Sequence, residues 1–143
     1  MPLMPPPWHR VLVVDDDAAV REMVRITLAK AGLEVVEAED GEQAIKEIIQ
    51  SIGDDHQIDA IFCGTHTRMA NGKKTIAYCR SDFPSYEMVA MTAPLDPQEE
   101  KSLFKQGVAY VLVKPIDVGK IMAVVEKMQQ QRSGDNPWLC PES

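Results

Sequence analysis

The 143-residue sequence predicts a doubly wound α/β domain, a five-stranded parallel sheet with helices on both faces. Short, continuously apolar, β-branched runs such as Val11-Leu-Val-Val14 have the composition of strands buried on both faces. Between these runs stand segments whose apolar residues recur at helical spacing. The two patterns alternate along the chain, and right-handed crossovers then give one covered sheet rather than separate layers. With 45% hydrophobic residues the chain can bury one core, and its length leaves no room for two ordinary domains.

The elements follow in order. Residues 1–8, Met-Pro-Leu-Met-Pro-Pro-Pro-Trp, contain three consecutive prolines, which remove backbone donors and fix φ, so 1–9 is expected to be a disordered proline-rich arm ahead of a domain at 10–131. The first strand stops at Asp15, Asp16 and Asp17. Val20, Met23, Val24, Thr27, Leu28 and Ala31 then mark one face of a helix that ends at Gly32. A second short strand covers 34–38. Asp40 and Gln43 form a capping box for a helix expected to bury Ala44, Ile45, Ile48, Ile49 and Ile52.

After a polar loop, residues 58–63 read as the third strand, 64–74 as a long polar turn, and 75–80 as a short third helix. The fourth strand is predicted at 87–91. Asp96, Pro97 and Glu99 occupy the cap, first and third positions of a fourth helix that ends at Gly107. Residues 109–113 are the fifth strand. Asp117 caps a fifth helix expected to bury Val118, Ile121, Met122, Val125 and Met128. Residues 132–143 are polar and rich in helix breakers, so a flexible tail is expected, with Trp138 and Leu139 as side chains able to dock.

A net charge of -7 without a Lys/Arg cluster argues against nucleic acid, leaving proteins or small ions as partners. No apolar run approaches the ~18 residues that cross a bilayer, and the proline-rich start is not a signal peptide, so no membrane contact and a cytoplasmic location are expected. Cys63, Cys79 and Cys140 show neither disulfide-framework nor zinc spacing, and Cys63 reads as a small core residue.

Ligand sites in such sheets form at the carboxyl ends of the strands. Those ends carry Asp15, Asp16 and Asp17, then Gly64, Thr65 and His66, then Thr92, then Lys114. An adjacent acidic pair can hold a hard cation, and a hydroxyl and an ammonium opposite it suit a phosphoryl group. Taken singly these residues are ordinary: Asp17 serves as a helix cap, and acids at a helix start are favoured by its dipole. Their joint placement at the ends of strands one, four and five is hard to assign to chance.

Over the stretch from Arg10 to Met128, Val11-Leu-Val-Val-Asp-Asp-Asp17, Met91-Thr-Ala93 and Val113-Lys-Pro-Ile116 resemble the first-, fourth- and fifth-strand motifs of response-regulator receiver domains. The resemblance implies a flavodoxin-like fold with strand order 2-1-3-4-5. It also implies a metal-binding acidic pair at Asp15 and Asp16, a phosphate-sensing hydroxyl at Thr92 and a phosphoryl-pairing lysine at Lys114. The family's third strand is followed by an aspartate that accepts the phosphoryl group. Counted forward from Asp59 and back from Gly72 without a gap, that position falls on Gly64.

Glycine can neither attack a phosphodonor nor hold an acyl phosphate. A pseudo-receiver is therefore expected, one that lacks the acceptor and acts in phosphorelay-type signalling through phosphorylation-independent protein–protein interaction, with no catalytic residue. The same change leaves Asp15, Asp16 and the backbone carbonyl of His66 as metal ligands, so no cofactor is expected beyond weak residual Mg²⁺. Lys114 is expected to pair directly with Asp15 or Asp16. The family's aromatic switch position falls on Val111, which cannot report phosphorylation by a ring rotation.

Asp59 lies about 16 Å from Gly64 at about 3.3 Å per strand residue, too far to substitute as acceptor. Thr65, His66 and Thr67 lie nearer; His66 has the chemistry of a phosphohistidine or soft-metal ligand, although a lone loop histidine is ordinarily just solvated. The expected partner is a protein docking on the face made by the fourth helix, fifth strand and fifth helix, with the chain a monomer or weak homodimer. The alternative is a sensor of small anions or metal ions held by Lys114, Thr92 and Asp16. An enzyme is not expected, because no nucleophile–base pair and no glycine-rich phosphate loop is present.

Overall fold

A computed structural model describes residues 9–51, 58–65 and 87–134, with side-chain burial described through residue 127. The elements are β1 (Arg10–Val14), α1 (Ala18–Lys30), β2 (Glu34–Ala38), α2 (Gly41–Ser51), β3 (Ala60–Gly64), β4 (Glu87–Thr92), α3 (Pro97–Lys105), β5 (Tyr110–Val113) and α4 (Val118–Gly134). All strand pairs are parallel and the order is β2-β1-β3-β4-β5, as the resemblance implies. Residues 1–8 of the arm predicted at 1–9, the polar turn beyond Thr65, the short helix at 75–80, and residues 135–143 with Trp138 and Leu139 lie outside the described residues. So do Ile52, Thr67, Cys79, Cys140 and the Met128 side chain. Residues 132–134, expected in the flexible tail, instead continue the last helix.

The apolar strand runs supply both faces of the sheet because successive side chains alternate. Val11, Val13, Phe62, Val89, Met91 and Leu112 pack with Val24 and Leu28 of α1 and Ile121, Val124 and Val125 of α4. On the other face Leu12, Val14, Ile61, Cys63, Met88 and Ala90 pack with Ala44 and Ile48 of α2 and Leu103 of α3. Cys63 is thus a core side chain.

The predicted caps form. The Asp17 carboxylate accepts from the Ala19 amide at 2.9 Å, and Asp117 from the Lys120 amide at 2.8 Å. Asp96 accepts from the Glu99 amide at 2.8 Å while Glu99 accepts from the Asp96 amide at 3.2 Å, a reciprocal box. At α2 Asp40 accepts from the Gln43 amide at 2.9 Å, but Gln43 reaches back to the amide of Glu39 at 2.8 Å, one residue earlier than the sequence pattern implies.

Two helical stripes are narrower than predicted. Ile49 is 52% exposed and Val118 54% exposed, although both were expected in the core. Ala44, Ile48 and Ser51 form the buried row of α2, and Ile49 lies a 100° step away from Ile48. In α4 the inward row runs through Ile121, Val124 and Val125, and Val118 sits in the first turn beyond it.

Candidate functional site

Strand register brings the predicted residues together. Val14 stands opposite Cys63, so Asp15 follows β1 beside Gly64 at the end of β3. Gly64 stands opposite Met91, and Thr92 opposite Val113, which places Thr65, Thr92 and Lys114 in one row of strand ends. Backbone bonds continue this row past the strands: the Thr65 amide donates to Met91 O at 3.0 Å and the Lys114 amide to Thr92 O at 2.7 Å. The Lys114–Pro115 peptide is cis.

Asp15 is the centre of the cluster. Its side chain is 1% exposed, and Lys114 Nζ lies 3.0 Å from its Oδ2. The other oxygen, Oδ1, accepts from the Asp17 amide at 2.9 Å. The ammonium approaches off hydrogen-bond alignment, so Oδ2 is ion-paired but has no hydrogen-bond donor. Burial of a carboxylate is tolerated because a charge partner and an amide offset its lost hydration. Lys114 remains 33% exposed, which moderates the strength of the pair.

Gly64 has a second meaning that sequence reasoning missed. A Cβ on Gly64 would stand 2.7 Å from Asp15 Oδ2, 3.2 Å from Asp15 Cγ and 3.5 Å from Val14 O. The Asp15 carboxylate therefore occupies the space that any side chain at position 64 requires. A glycine in a sequence signals only a missing group, whereas the identity of whatever fills the gap is a matter of three-dimensional packing.

The remaining predicted residues are placed as follows. Thr92 is 1% exposed and its hydroxyl donates to Ala93 O at 2.9 Å, bonded within its own strand end. Asp16 is partly exposed on the loop between Asp15 and the Asp17 cap. Val111 is half-buried and packs against the cluster that includes Leu103 and Val108. His66 lies outside the described residues. Asp59 sits at the opposite end of the sheet, where its Oδ2 accepts from the amides of His9 at 2.6 Å and Arg10 at 3.1 Å.

Two further residues, Arg21 and Lys120, hold the site. Arg21 Nη1 donates to the Asp15 carbonyl at 2.6 Å, while its Nε lies 3.4 Å from Glu37, which also pairs with Arg25 at 3.2 Å. Lys120 Nζ donates to Val113 O at 3.0 Å and Pro115 O at 2.9 Å, tying down the loop that carries Lys114. Thr65 is 1% exposed and its hydroxyl has no hydrogen-bond partner. For Arg21 the available signal was its position one turn after the Asp17 cap; for Lys120 it was its place in the first turn of α4.

The described residues do not fit a divalent cation. Gly64 contributes no carboxylate, and a lysine ammonium stands 3.0 Å from the Asp15 oxygen that a cation would need. Among the described residues no three Asp, Glu, His or Cys side chains converge in a way that could hold a metal.

Residues 11–126 match the family model described as the response regulator receiver domain. The transcriptional regulatory protein ZraR of Escherichia coli K12 is 26% identical over 117 residues, covering 82% of this chain and 25% of ZraR. The sensor protein GacS of Pseudomonas syringae is 32% identical over 118 residues, covering 82% of this chain and 13% of GacS. The chain thus spans a quarter or less of the length of these curated relatives. Among solved structures, the chemotaxis protein CheY4 of Vibrio cholerae superposes with a TM-score of 0.74 at 24% identity, covering 84% of this chain and 98% of that one. The receiver domain of AraT from Geobacillus stearothermophilus gives a TM-score of 0.74 at 27% identity, covering 87% and 95%.

Proposed function

The chain belongs to the response regulator receiver family, and from that premise we propose that it is a pseudo-receiver that signals without aspartyl phosphorylation. The observation that carries this reading is the space at Gly64: the acceptor carboxylate is missing, and the Asp15 carboxylate fills the position its Cβ would take. A phosphoryl group needs both a nucleophile and room beside Lys114. Here the nucleophile has no atoms, and Lys114 is engaged with Asp15.

Receiver domains of two-component signalling are modules that interact with proteins, and on this reading the chain is not an enzyme. The docking face is α3, β5 and α4. Support for that face comes from Phe104 of α3, which is 46% exposed, and from a groove of about 330 Å³ between β5 and α4 that Lys120 and Lys127 flank. Val111, half-buried in that groove, cannot report phosphorylation by a ring rotation. The chain acts as a monomer or weak homodimer in the cytoplasm; among the described residues no helix is long and apolar enough to cross a membrane. Mg²⁺ binds weakly at best.

The ion-sensing alternative requires Lys114, Thr92 and Asp16 to be available together, and two of the three are committed to Asp15 and Ala93. Incubation of the intact protein with acetyl phosphate and Mg²⁺, followed by mass measurement, tests the main reading. The expected result is an unchanged mass; acid-labile phosphate on an aspartate would overturn it.

A further inference from the structure

Helices α1 and α4 pack together on one face of the sheet, and an apolar groove of about 250 Å³ runs between them. Met23, Ile26 and Ala31 form one wall and Val118 and Met122 the other, and among the described residues Lys30 is the charged side chain of the lining. Ile26 is 39% exposed and Val118 54% exposed, so aliphatic surface here faces water that a covering segment would displace.

We propose that residues 1–8, which lie outside the described residues, occupy this groove as an intramolecular ligand, with Trp8 over Lys30, the prolines passing Ile26, and Met4 and Leu3 at the Met23 end. Where the segment starts is fixed. The carbonyl of His9 accepts from the Glu34 amide at 2.9 Å, just past the Gly32 turn that ends α1, so the chain enters the sheet beside the Ala31 end of the groove.

The reach also fits. From Ala31 to Met23 is about 12 Å along a helix rising about 1.5 Å per residue. Eight residues in an extended proline-rich conformation cover about 25 Å at about 3.1 Å each, enough to arrive at the groove and run its length. The competing apolar segment at Trp138 is less well placed: Met122 lies about 18 Å back along α4 from Gly134, at about 1.5 Å per residue, while the backbone from Gly134 to Trp138 spans at most about 14 Å and cannot run the length of the groove.

The chemistry points the same way. Met-Pro-Leu-Met-Pro-Pro-Pro-Trp carries no charged side chain, so an apolar groove desolvates no ion when it binds. Its prolines restrict the free chain and lower the entropy cost of docking. The tryptophan ring supplies a face for the Lys30 ammonium. A second copy of the chain offers no such tether.

Trp8 and Trp138 are the two tryptophans of the chain, so Trp138→Phe leaves Trp8 as the sole reporter. In that full-length protein Trp8 emission should be blue-shifted and shielded from iodide. Both effects should disappear on adding Ile26→Asp and Val118→Asp, with far-ultraviolet circular dichroism unchanged. Should the double aspartate variant not fold, Leu3→Ser with Met4→Ser removes the arm's anchors instead and should give the same loss of shielding. Solvent-like Trp8 emission at the outset would overturn the proposal, as would shielding that survives these substitutions. So would shielding seen only when the protein sediments as a dimer, or a Trp8→Phe protein in which Trp138 responds to the aspartates instead.

Discussion

At the scale of single residues, Asp15 and Gly64 define each other. The carboxylate is 1% exposed and can lie where it does because position 64 has no Cβ. Gly64→Asp is therefore expected to fail as a simple repair: the new side chain and Asp15 would compete for one space, and two buried carboxylates would share one lysine. Treated with acetyl phosphate and Mg²⁺, Gly64→Asp alone should show no stable phosphate by intact mass. Lys114→Met should lower stability by about 2–4 kcal/mol in urea unfolding, because it strands the Asp15 charge; a third of the lysine side chain is exposed, which keeps the loss below the largest known for buried pairs. A pairing of Lys114 with Asp15 or Asp16 was legible in the sequence, and the burial of Asp15 at the strand end decides between the two. The filling of the Gly64 space was not, since it depends on a side-chain direction fixed by the Asp17 amide and by Lys114.

At the scale of elements, the cap residues were legible because a helix start is a local event. A short polar side chain satisfies an amide two or three residues ahead, and nothing distant is needed. Asp96→Ala should lose the reciprocal box with Glu99 and destabilise the domain by about 1 kcal/mol, read as a lower urea midpoint with an unchanged slope. Burial along the helices was legible only in part. The spacing of Ile45, Ile48 and Ile49 shows an apolar side of α2, but the line along which the helix touches the sheet decides which of them is covered. Ile48 lies on that line and Ile49 does not. Val118 differs for another reason: it opens α4 and borders the groove against α1.

At the scale of the whole molecule, alternation of apolar runs with helical periods was enough to predict one parallel sheet covered on both sides, and the motif resemblance supplied the strand order. Phe62 has no exposed surface and lies within the cluster shared by the sheet, α1 and α4, so Phe62→Ala should cost about 3–5 kcal/mol in global unfolding. Assembly of the site is itself a whole-molecule property. Asp15, Gly64, Thr92 and Lys114 come from four different strand ends, and parallel pairing in one register sets them side by side. If Asp15 occupies the room of the absent acceptor side chain, a double-mutant cycle between Gly64→Ala and Asp15→Ala will show the two positions strongly coupled. In the wild-type background the added methyl should cost about 1–3 kcal/mol by overpacking against the carboxylate. In the Asp15→Ala background that cost should largely vanish, leaving a coupling of about 1 kcal/mol or more. Equal costs in both backgrounds would mean that the Asp15 carboxylate does not fill the space beside Gly64.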